Sequence, residues 1–231
     1  MKMCRKKSGR MECVMFKLLN KEYKLTVMPL VYAFFSFVAM LFIPSYPYTV
    51  IFFYTTLAIF FCFLSSRENK DLLYMVTLPI PKEDMVKARY GTVVSVEIIQ
   101  MLLSVPFCIV RCTLLTHENV AGIEANIAFL GLVFVQFAIF NTIFLGMYFK
   151  KADNVGIAFL VSSIVEFIVI IVIEASVHIA KAVQGSCFWD QTDGKALIAQ
   201  IPIFIVGLLF FVIMTFISYQ RDVKNFLKQD L

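Results

Sequence analysis

Six long apolar blocks, separated by short charged segments, constrain this chain more than any other feature of its sequence. The hydrocarbon core of a bilayer is about 30 Å thick and takes roughly 20 residues of α-helix, which is close to the length of each block. We therefore predict an all-α, polytopic membrane protein with six transmembrane helices. The blocks are Thr26–Pro44, Pro47–Leu64, Thr92–Leu115, Asn126–Phe149, Val155–His178 and Leu197–Gln220.

The composition favours the same class of protein. Hydrophobic residues make up 60% of the 231 residues and charged residues 16%, whereas soluble domains contain about 45–50% and about 25%. A soluble globule of this size could not bury so much apolar surface. The predicted organisation is a cytoplasmic tail over residues 1–25, a transmembrane domain over 26–220 and a C-terminal tail over 221–231.

The distribution of Lys and Arg predicts the orientation. Eighteen of the 21 basic residues fall on one face: eight precede Thr26, five lie in Ser65–Gly91, two are Lys150 and Lys151, and three follow Gln220. The opposite face has only Lys181 and Lys195, and Arg111 lies within a span. The positive-inside rule then places both chain ends in the cytoplasm. The same asymmetry accounts for the net charge of +5 without a nucleic-acid partner.

Two local patterns refine this topology. The turn Ser45-Tyr46-Pro47 joins the first two blocks and predicts an antiparallel helical hairpin, because proline ends one helix and starts the next. The stretch Met11–Leu25 suits an amphipathic helix at the cytoplasmic interface. The alternative for this stretch is a disordered basic tail held by anionic lipid. Its apolar side would carry Met11, Met15, Leu18 and Leu19, with Lys17, Lys21, Glu22 and Lys24 mostly elsewhere.

Motifs for soluble chemistry are missing from the sequence. No GxxxxGK[ST] phosphate loop, HExxH or GxSxG occurs, and the two histidines are His117 and His178. The six cysteines form no CxxC pair, so we interpret them as ordinary thiols. We expect no metal and no cofactor in this chain, and we do not expect it to be an enzyme. An active transporter built from it needs a separate energy source.

Four ionisable residues lie inside the predicted spans: Glu97, Arg111, Glu166 and Glu174. Such residues are costly in lipid and face a partner or a water-filled cavity. Glu97 and Arg111 are close enough to span ends to snorkel to the interface. Glu166 and Glu174 share one helix face, and Glu166 is the better candidate for lining a cavity. An Arg111–Glu174 ion pair is the structural alternative.

The cytoplasmic loop Ser65–Gly91 carries the strongest functional signal. Its first part predicts a short helix, Pro79 and Pro81 break it, and a second helix then runs into the third span. Acidic residues in the first turn of that second helix complement its dipole. A rigid helix–turn–helix at the membrane face suits docking of a cytoplasmic partner, and the alternative is a solvated connecting loop.

The run Glu68–Tyr90, and in particular LPIPKEDMVKARY leading directly into a span, resembles the loop after the second helix in type-2 ABC exporter permeases. The likeness is greatest to the small bacterial subfamily that includes the permeases of the phenol-soluble modulin exporter. The six-span layout, the cytoplasmic N-terminus and the short outer loops agree with that family over nearly the whole chain. One departure is the outer loop Ile179–Ala196, in which we see no re-entrant helix pair.

The resemblance implies a function and a set of partners. A permease of this kind sits in the bacterial plasma membrane and exports amphipathic cytotoxic peptides by alternating access. Two permeases, identical or sister subunits, would bind two cytoplasmic ATPases, which hold the ATP and Mg. Met11–Leu25 would be the connecting helix. The coupling residues would be Glu68, Asp71, Leu72, Met75, Pro79, Pro81 and Glu83.

Two other functions stay open at this point. The first is a membrane immunity or accessory protein that binds toxic peptides without pumping them. The second is a membrane-embedded hydrolase that uses the carboxylates of Glu166 and Glu174.

Overall fold

The computed structural model describes residues 18–23, 29–114, 119–184 and 187–228, and within these ranges the chain is helical without any strand. Residues 18–23 form one helical turn and a half ahead of the first named helix. Short 3₁₀ turns occur at Ala152–Asn154 and Phe188–Asp190. The helices are α1 (Pro29–Phe35, continued as a 3₁₀ helix over Ser36–Phe42), α2 (Thr49–Glu68), α3 (Asp71–Thr77), α4 (Lys82–Leu114), α5 (Ile127–Tyr148), α6 (Val155–Gln184) and α7 (Gly194–Leu227).

Five of these helices, α2 and α4 to α7, are long and apolar enough to cross a membrane. The prediction of an all-α, multi-pass membrane protein is therefore confirmed. The first predicted span appears as the shorter apolar helix Leu30–Phe42, and the start of its block lies outside the described residues. The count of six spans and their orientation stay predictions, and "cytoplasmic" and "outer" denote the two ends of the bundle according to that predicted orientation.

The predicted hairpin between the first two blocks is present. The 3₁₀ helix after α1 ends at Phe42 and α2 begins at Thr49, with the amide of Val50 donating to the Pro47 carbonyl at 3.1 Å. The Pro47 carbonyl thus accepts the first hydrogen bond of the new helix. Proline suits a helix start because its φ is already helical and its missing N–H would have no partner within the helix.

Several helices extend beyond the apolar blocks that predicted them. Helix α4 starts at Lys82 in the cytoplasmic segment, α6 continues to Gln184, and α7 reaches Leu227. Hydropathy marks only the part of a helix that faces lipid, whereas Lys, Glu, Arg and Met continue the helix readily on either side. The outer connection between α6 and α7 is correspondingly shorter than predicted.

Aromatic side chains fill the interior of the helix bundle. Near the cytoplasmic end, Phe140 stacks on Phe144 with ring centroids 5.0 Å apart, and Phe63 meets Tyr148 edge-on at 4.7 Å. These side chains are fully or almost fully buried. Much of the phenylalanine content therefore stabilises the bundle through large buried areas rather than covering its lipid-facing surface.

Helix α5 lies at the centre of the bundle and packs against α2, α6 and α7. Its contact with α7 is made backbone to backbone: a Cβ built on Gly207 would lie 2.1 Å from the carbonyl oxygen of Gly131. Glycine is required here because membrane helices gain dispersion energy when small residues let their backbones approach closely.

Candidate functional site

The cytoplasmic segment after α2 folds as the predicted helix–turn–helix. Helix α2 ends at Glu68, and Lys70, with φ 52°, reverses the chain into α3. The chain is extended at Leu78, and α4 begins at Lys82 with the Pro81 carbonyl accepting from the amide of Asp84 at 3.0 Å. The predicted proline break and the long helix behind it are therefore confirmed.

The predicted coupling residues occupy three different environments. Leu72 and Met75 are buried in the core of this same chain, so they anchor α3 rather than face outwards. Asp71 is partly buried. The others, Glu68, Pro79, Pro81 and Glu83, are exposed.

Two exposed apolar residues of α3, Leu73 and Tyr74, were not among the predicted coupling residues. Leu73 is 50% and Tyr74 is 62% exposed. The sequence alone did not separate them from Leu72, because a helix of two turns with adjacent leucines has no clear apolar face. The structure places Leu73 and Tyr74 side by side on the outward face of a helix whose other face is fixed.

Arg89, on the first turns of α4, ties three segments together. Its Nη1 donates to Glu22 Oε2 at 2.7 Å, and its Nη2 donates to Asp71 Oδ2 at 2.6 Å and also contacts Ser66 Oγ. Arg89 is only 1% exposed. We call Arg89, Glu22, Asp71, Ser66 and Lys21 the cytoplasmic junction, because Lys21 also pairs with Asp71.

This junction corrects one prediction about the tail. Glu22 was expected on the polar side of an amphipathic helix, away from Leu18. Both side chains are buried, at 0% and 6% exposure, and they lie four residues apart on one helix face. Burial of Glu22 is compensated by the buried cation of Arg89. The remainder of Met11–Leu25 lies outside the described residues.

The next residue of α4 joins the last helix to the same region. The Tyr90 hydroxyl donates to Asp222 Oδ2 at 2.6 Å, and Arg221 Nε donates to Asp222 Oδ1 at 3.0 Å. Arg221 also donates from Nη2 to the Thr142 carbonyl at 2.7 Å. Consecutive residues of α4 therefore connect α3 and the N-terminal segment on one side and α5 and α7 on the other.

The carboxylates of α6 lie on one inward face, as their spacing predicted. Glu166 is fully buried and accepts from Gln136 Nε2 at 2.8 Å and Thr56 Oγ1 at 3.0 Å. Glu174 accepts from the Thr49 hydroxyl and from the amide of Ile123 at 2.9 Å. Each carboxylate is thus held by its own partners. Among the hydrogen bonds of the described residues, no partner of one carboxylate is a partner of the other.

Glu97 and Arg111 do not snorkel. Glu97 is 0% exposed and accepts from Asn141 Nδ2 at 2.9 Å. Arg111 is 2% exposed, and its Nη2 lies 3.7 Å from Glu124 Oε2. The Arg111–Glu174 ion pair is therefore wrong: Glu124, in the loop before α5, takes the place of Glu174 because that loop folds back over the end of α4.

The outer loops close over the bundle through polar contacts. The amide of Glu124 donates to Asp190 Oδ1 at 2.7 Å, and Asp190 also pairs with Lys181. Asn126 caps α5 by accepting from the amide of Phe129 at 2.9 Å and donates to the Trp189 carbonyl at 2.6 Å. Burial raises the pKa of the Glu124 carboxyl, although hydrogen bonding from Asn119 and the charge of Arg111 oppose the rise.

The cysteines in the described part of the chain are thiols, in agreement with the sequence interpretation. These are Cys62, Cys108, Cys112 and Cys187. Cys4 and Cys13 lie outside the described residues.

Comparison with known proteins gives one match. The family model described as ABC-2 family transporter protein matches residues 16–226. No curated protein matches the chain, and no solved structure matches it.

Proposed function

The chain belongs to the ABC-2 family of transporter proteins, and on that premise we propose that it exports amphipathic peptides as the permease subunit of an ATP-driven transporter. Membership in this family, together with five long apolar helices, supports a multi-pass membrane subunit that works with a separate ATPase. The peptide cargo rests on the resemblance of Glu68–Tyr90 to modulin-exporter permeases. The bacterial plasma membrane as its location, six spans and cytoplasmic ends complete the proposal.

The observation that carries the coupling role is the construction of α3. One face of this helix is anchored through Leu72 and Met75 in the core and through Asp71 on Arg89. The other face presents Leu73 and Tyr74 to solvent. Exposed apolar side chains on a fixed element are typical of a protein interface, and tyrosine is enriched at interface hot spots.

In this proposal α3 inserts into a groove of the cytoplasmic ATPase. Tyr74 and Leu73 supply the apolar contact, and the exposed Glu68, Pro79, Pro81 and Glu83 surround it. Two permeases, identical or sister subunits, would work with two ATPases. ATP binding draws the ATPases together, and the cytoplasmic junction passes the movement of α3 to α4.

Co-purification with ABC ATPases co-expressed from the same genome tests the coupling surface. Leu73→Ala with Tyr74→Ala should weaken ATPase binding roughly thirtyfold or more, as truncation of a hot spot does, while the permease stays folded. Val120→Ala is the matched control, since Val120 is 76% exposed in the outer loop. Unchanged binding and unchanged ATPase stimulation in the double variant would remove α3 as the docking element.

A transport assay separates the exporter from a non-pumping immunity protein. Inside-out vesicles that contain permease and ATPase should accumulate a labelled amphipathic helical peptide only when ATP is present. Peptide binding without ATP-dependent accumulation would favour the immunity protein. Failure of an ATPase to bind at all would contradict the exporter itself.

A further inference from the structure

Three acidic side chains lie at different depths inside the helix bundle. Glu174 lies near the outer ends of the helices, and Glu166 is eight residues away on α6, which is about 12 Å along a helix. Glu97 lies deeper towards the cytoplasm, bound to Asn141, five residues beyond the Gln136 that binds Glu166. Within the described chain, none of the three carboxylates has a basic residue within ion-pair distance, as the ion pairs that do form involve other acids.

The surroundings of Glu97 hold more unpartnered polar atoms than those of Glu166, where Gln136 Oε1 is the unpartnered atom among the residues that bind the carboxylate. Glu97 Oε1, Asn141 Oδ1 and both polar atoms of the Gln100 amide are buried without a hydrogen-bond partner in the part of the chain that the structure describes. Glu97 and Gln100 are both 0% exposed and lie three residues apart on one face of α4. Asn141 reaches the same place through its bond to Glu97.

An uncompensated arrangement of this kind is expensive in a membrane interior. A buried polar atom without a partner costs about 1–3 kcal/mol, and an ionised carboxylate without a counter-charge costs more. The oxygens of Glu97, Gln100 and Asn141 are hard donors without sulfur or imidazole among them, which suits a hard cation. The single carboxylate charge matches a monovalent one, either a proton or an alkali-metal ion.

The charged groups around Glu97 do not supply the missing counter-charge. Glu166, on α6, acts on Glu97 electrostatically with the same sign. On α4 itself, Arg89 and Arg111 lie eight and 14 residues away, about 12 and 21 Å along the helix. Arg89 pairs with Glu22 and Asp71, and Arg111 pairs with Glu124. On α7, Arg221 pairs with Asp222 at the cytoplasmic end.

We propose that Glu97, Gln100 and Asn141 form a binding site for one monovalent cation within the membrane, taken up either as a proton or as an alkali-metal ion. A proton on Glu97 Oε1 gives that oxygen one hydrogen bond to donate, and the amide oxygen of Gln100 or of Asn141 accepts it. An alkali-metal ion is coordinated by the same oxygens. Either ion neutralises the single charge of Glu97. The site shares no residue with the ATPase-docking surface.

The site lies eight residues from Arg89 on the same helix, which connects it to the cytoplasmic junction through one rigid element. Occupancy therefore stabilises the arrangement of α4 against α5 that the structure shows. Loss of the cation leaves a charged carboxylate between these helices and favours their separation.

Thermal unfolding of the full-length chain in lipid nanodiscs, without ATPase, tests the site. Midpoints are measured from about pH 5.5 to 8.5 in choline chloride, and then at one pH with Na⁺ or K⁺ replacing choline at constant ionic strength. Glu97→Gln keeps the shape of the side chain and removes its charge. Asp193→Asn removes a charge from an exposed acid and is the matched control.

If the site binds a proton, lowering the pH stabilises the wild type, and its unfolding constant falls by up to tenfold for each pH unit. Glu97→Gln lacks the titrating group, so this fall should be absent from the variant. An alkali-metal site predicts stabilisation by Na⁺ or K⁺ that Glu97→Gln abolishes and Asp193→Asn retains. Identical responses of wild type and Glu97→Gln to pH and to both salts would overturn the proposal.

A second variant covers the case in which Glu97→Gln does not fold. Gln100→Met keeps the carboxylate and the volume but removes the unpartnered amide. It should shift the pH response to lower pH or weaken the alkali-ion response about tenfold or more. A Gln100→Met protein with the wild-type response would equally overturn the site.

Discussion

Arg89 Nη1 lies 2.7 Å from Glu22 Oε2, and both side chains are almost completely buried although they are 67 positions apart in the chain. This ion pair fixes the N-terminal segment against the start of α4, and the second bond of Arg89 fixes α3 in the same place. The surface proposed to dock the ATPase is therefore held by this guanidinium group together with the buried Leu72 and Met75.

Arg89→Met should be among the most damaging substitutions in the cytoplasmic region. It removes the buried cation of Glu22 and leaves the carboxylate with the partly exposed Lys21, whose Nζ lies 3.3 Å from Glu22 Oε1. Removal of one partner of a buried pair costs about 3–5 kcal/mol. Denaturant unfolding in mixed micelles measures the loss. Lys87→Met, at an exposed position of the same helix, should change stability by less than about 0.5 kcal/mol.

A second substitution checks whether the charge of Glu22 is the cause. Glu22→Gln in the Arg89→Met background should recover part of the lost stability, because no uncompensated charge remains. If the double variant were as unstable as the sum of the two single variants, the buried pair would not be the source of the effect.

Glu166 should tolerate glutamine and not alanine. Glu166→Gln keeps atoms that can bond to Gln136 and Thr56. Glu166→Ala leaves the buried Gln136 amide with only its long contact to the Thr49 carbonyl, at 3.4 Å. An unsatisfied buried donor costs about 1–3 kcal/mol. Unfolding of the two variants under the same conditions gives the difference, and equal stability of alanine and glutamine at 166 would contradict the assigned bonds.

Gly122→Ala should disturb the outer end of the bundle through Glu174. A Cβ at position 122 would lie 1.5 Å from Glu174 Oε2, so the carboxylate must leave the Ile123 amide that it accepts from. We expect a loss of about 1–3 kcal/mol, as for other overpacked sites.

Gly156→Ala is the control for this substitution, since nothing lies within 4 Å of its built Cβ. It should be neutral or stabilise α6 by about 0.5–1 kcal/mol through backbone entropy. A harmless Gly122→Ala would show that Glu174 has room to move away.

The outer loop should make stability depend on pH through Glu124. Its pKa is raised above the ordinary value of 4.5, chiefly by burial, so its contribution is present in full at low pH and is lost as pH rises through the raised pKa. Glu124→Gln should reduce this loss between pH 4.5 and neutrality. Thermal midpoints of wild type and variant across that range measure it, and parallel curves would contradict the assignment.

Local patterns predicted the parts of the fold that local physics determines. The hairpin at Pro47, the break between α3 and α4 and the shared face of Glu166 and Glu174 follow from proline geometry and helical periodicity. Helix ends were predicted less well where no proline marks them, because α6 and α7 continue past their apolar blocks to Gln184 and Leu227.

The pairing of distant residues could not be predicted from these patterns. Glu22 was placed with solvent-facing charges and Arg111 with Glu174, because a helical wheel shows which residues share a face but not which face meets another helix. Glu22 is paired with Arg89, and Arg111 with Glu124. Such pairs depend on how loops fold back, which only the three-dimensional arrangement supplies.

Helix α4 runs without interruption from Lys82 to Leu114, a length of about 50 Å at 1.5 Å per residue. A helix of this length tilts as one rigid unit, so a small sideways displacement near Arg89 also moves Arg111 and the outer loop. Pro106 is the one proline inside this helix, and it lies close to the outer end. Because proline removes a backbone hydrogen bond inside a helix, a bend of this helix at Pro106 would act next to the loops that close the predicted outer end, where it would do most to open them.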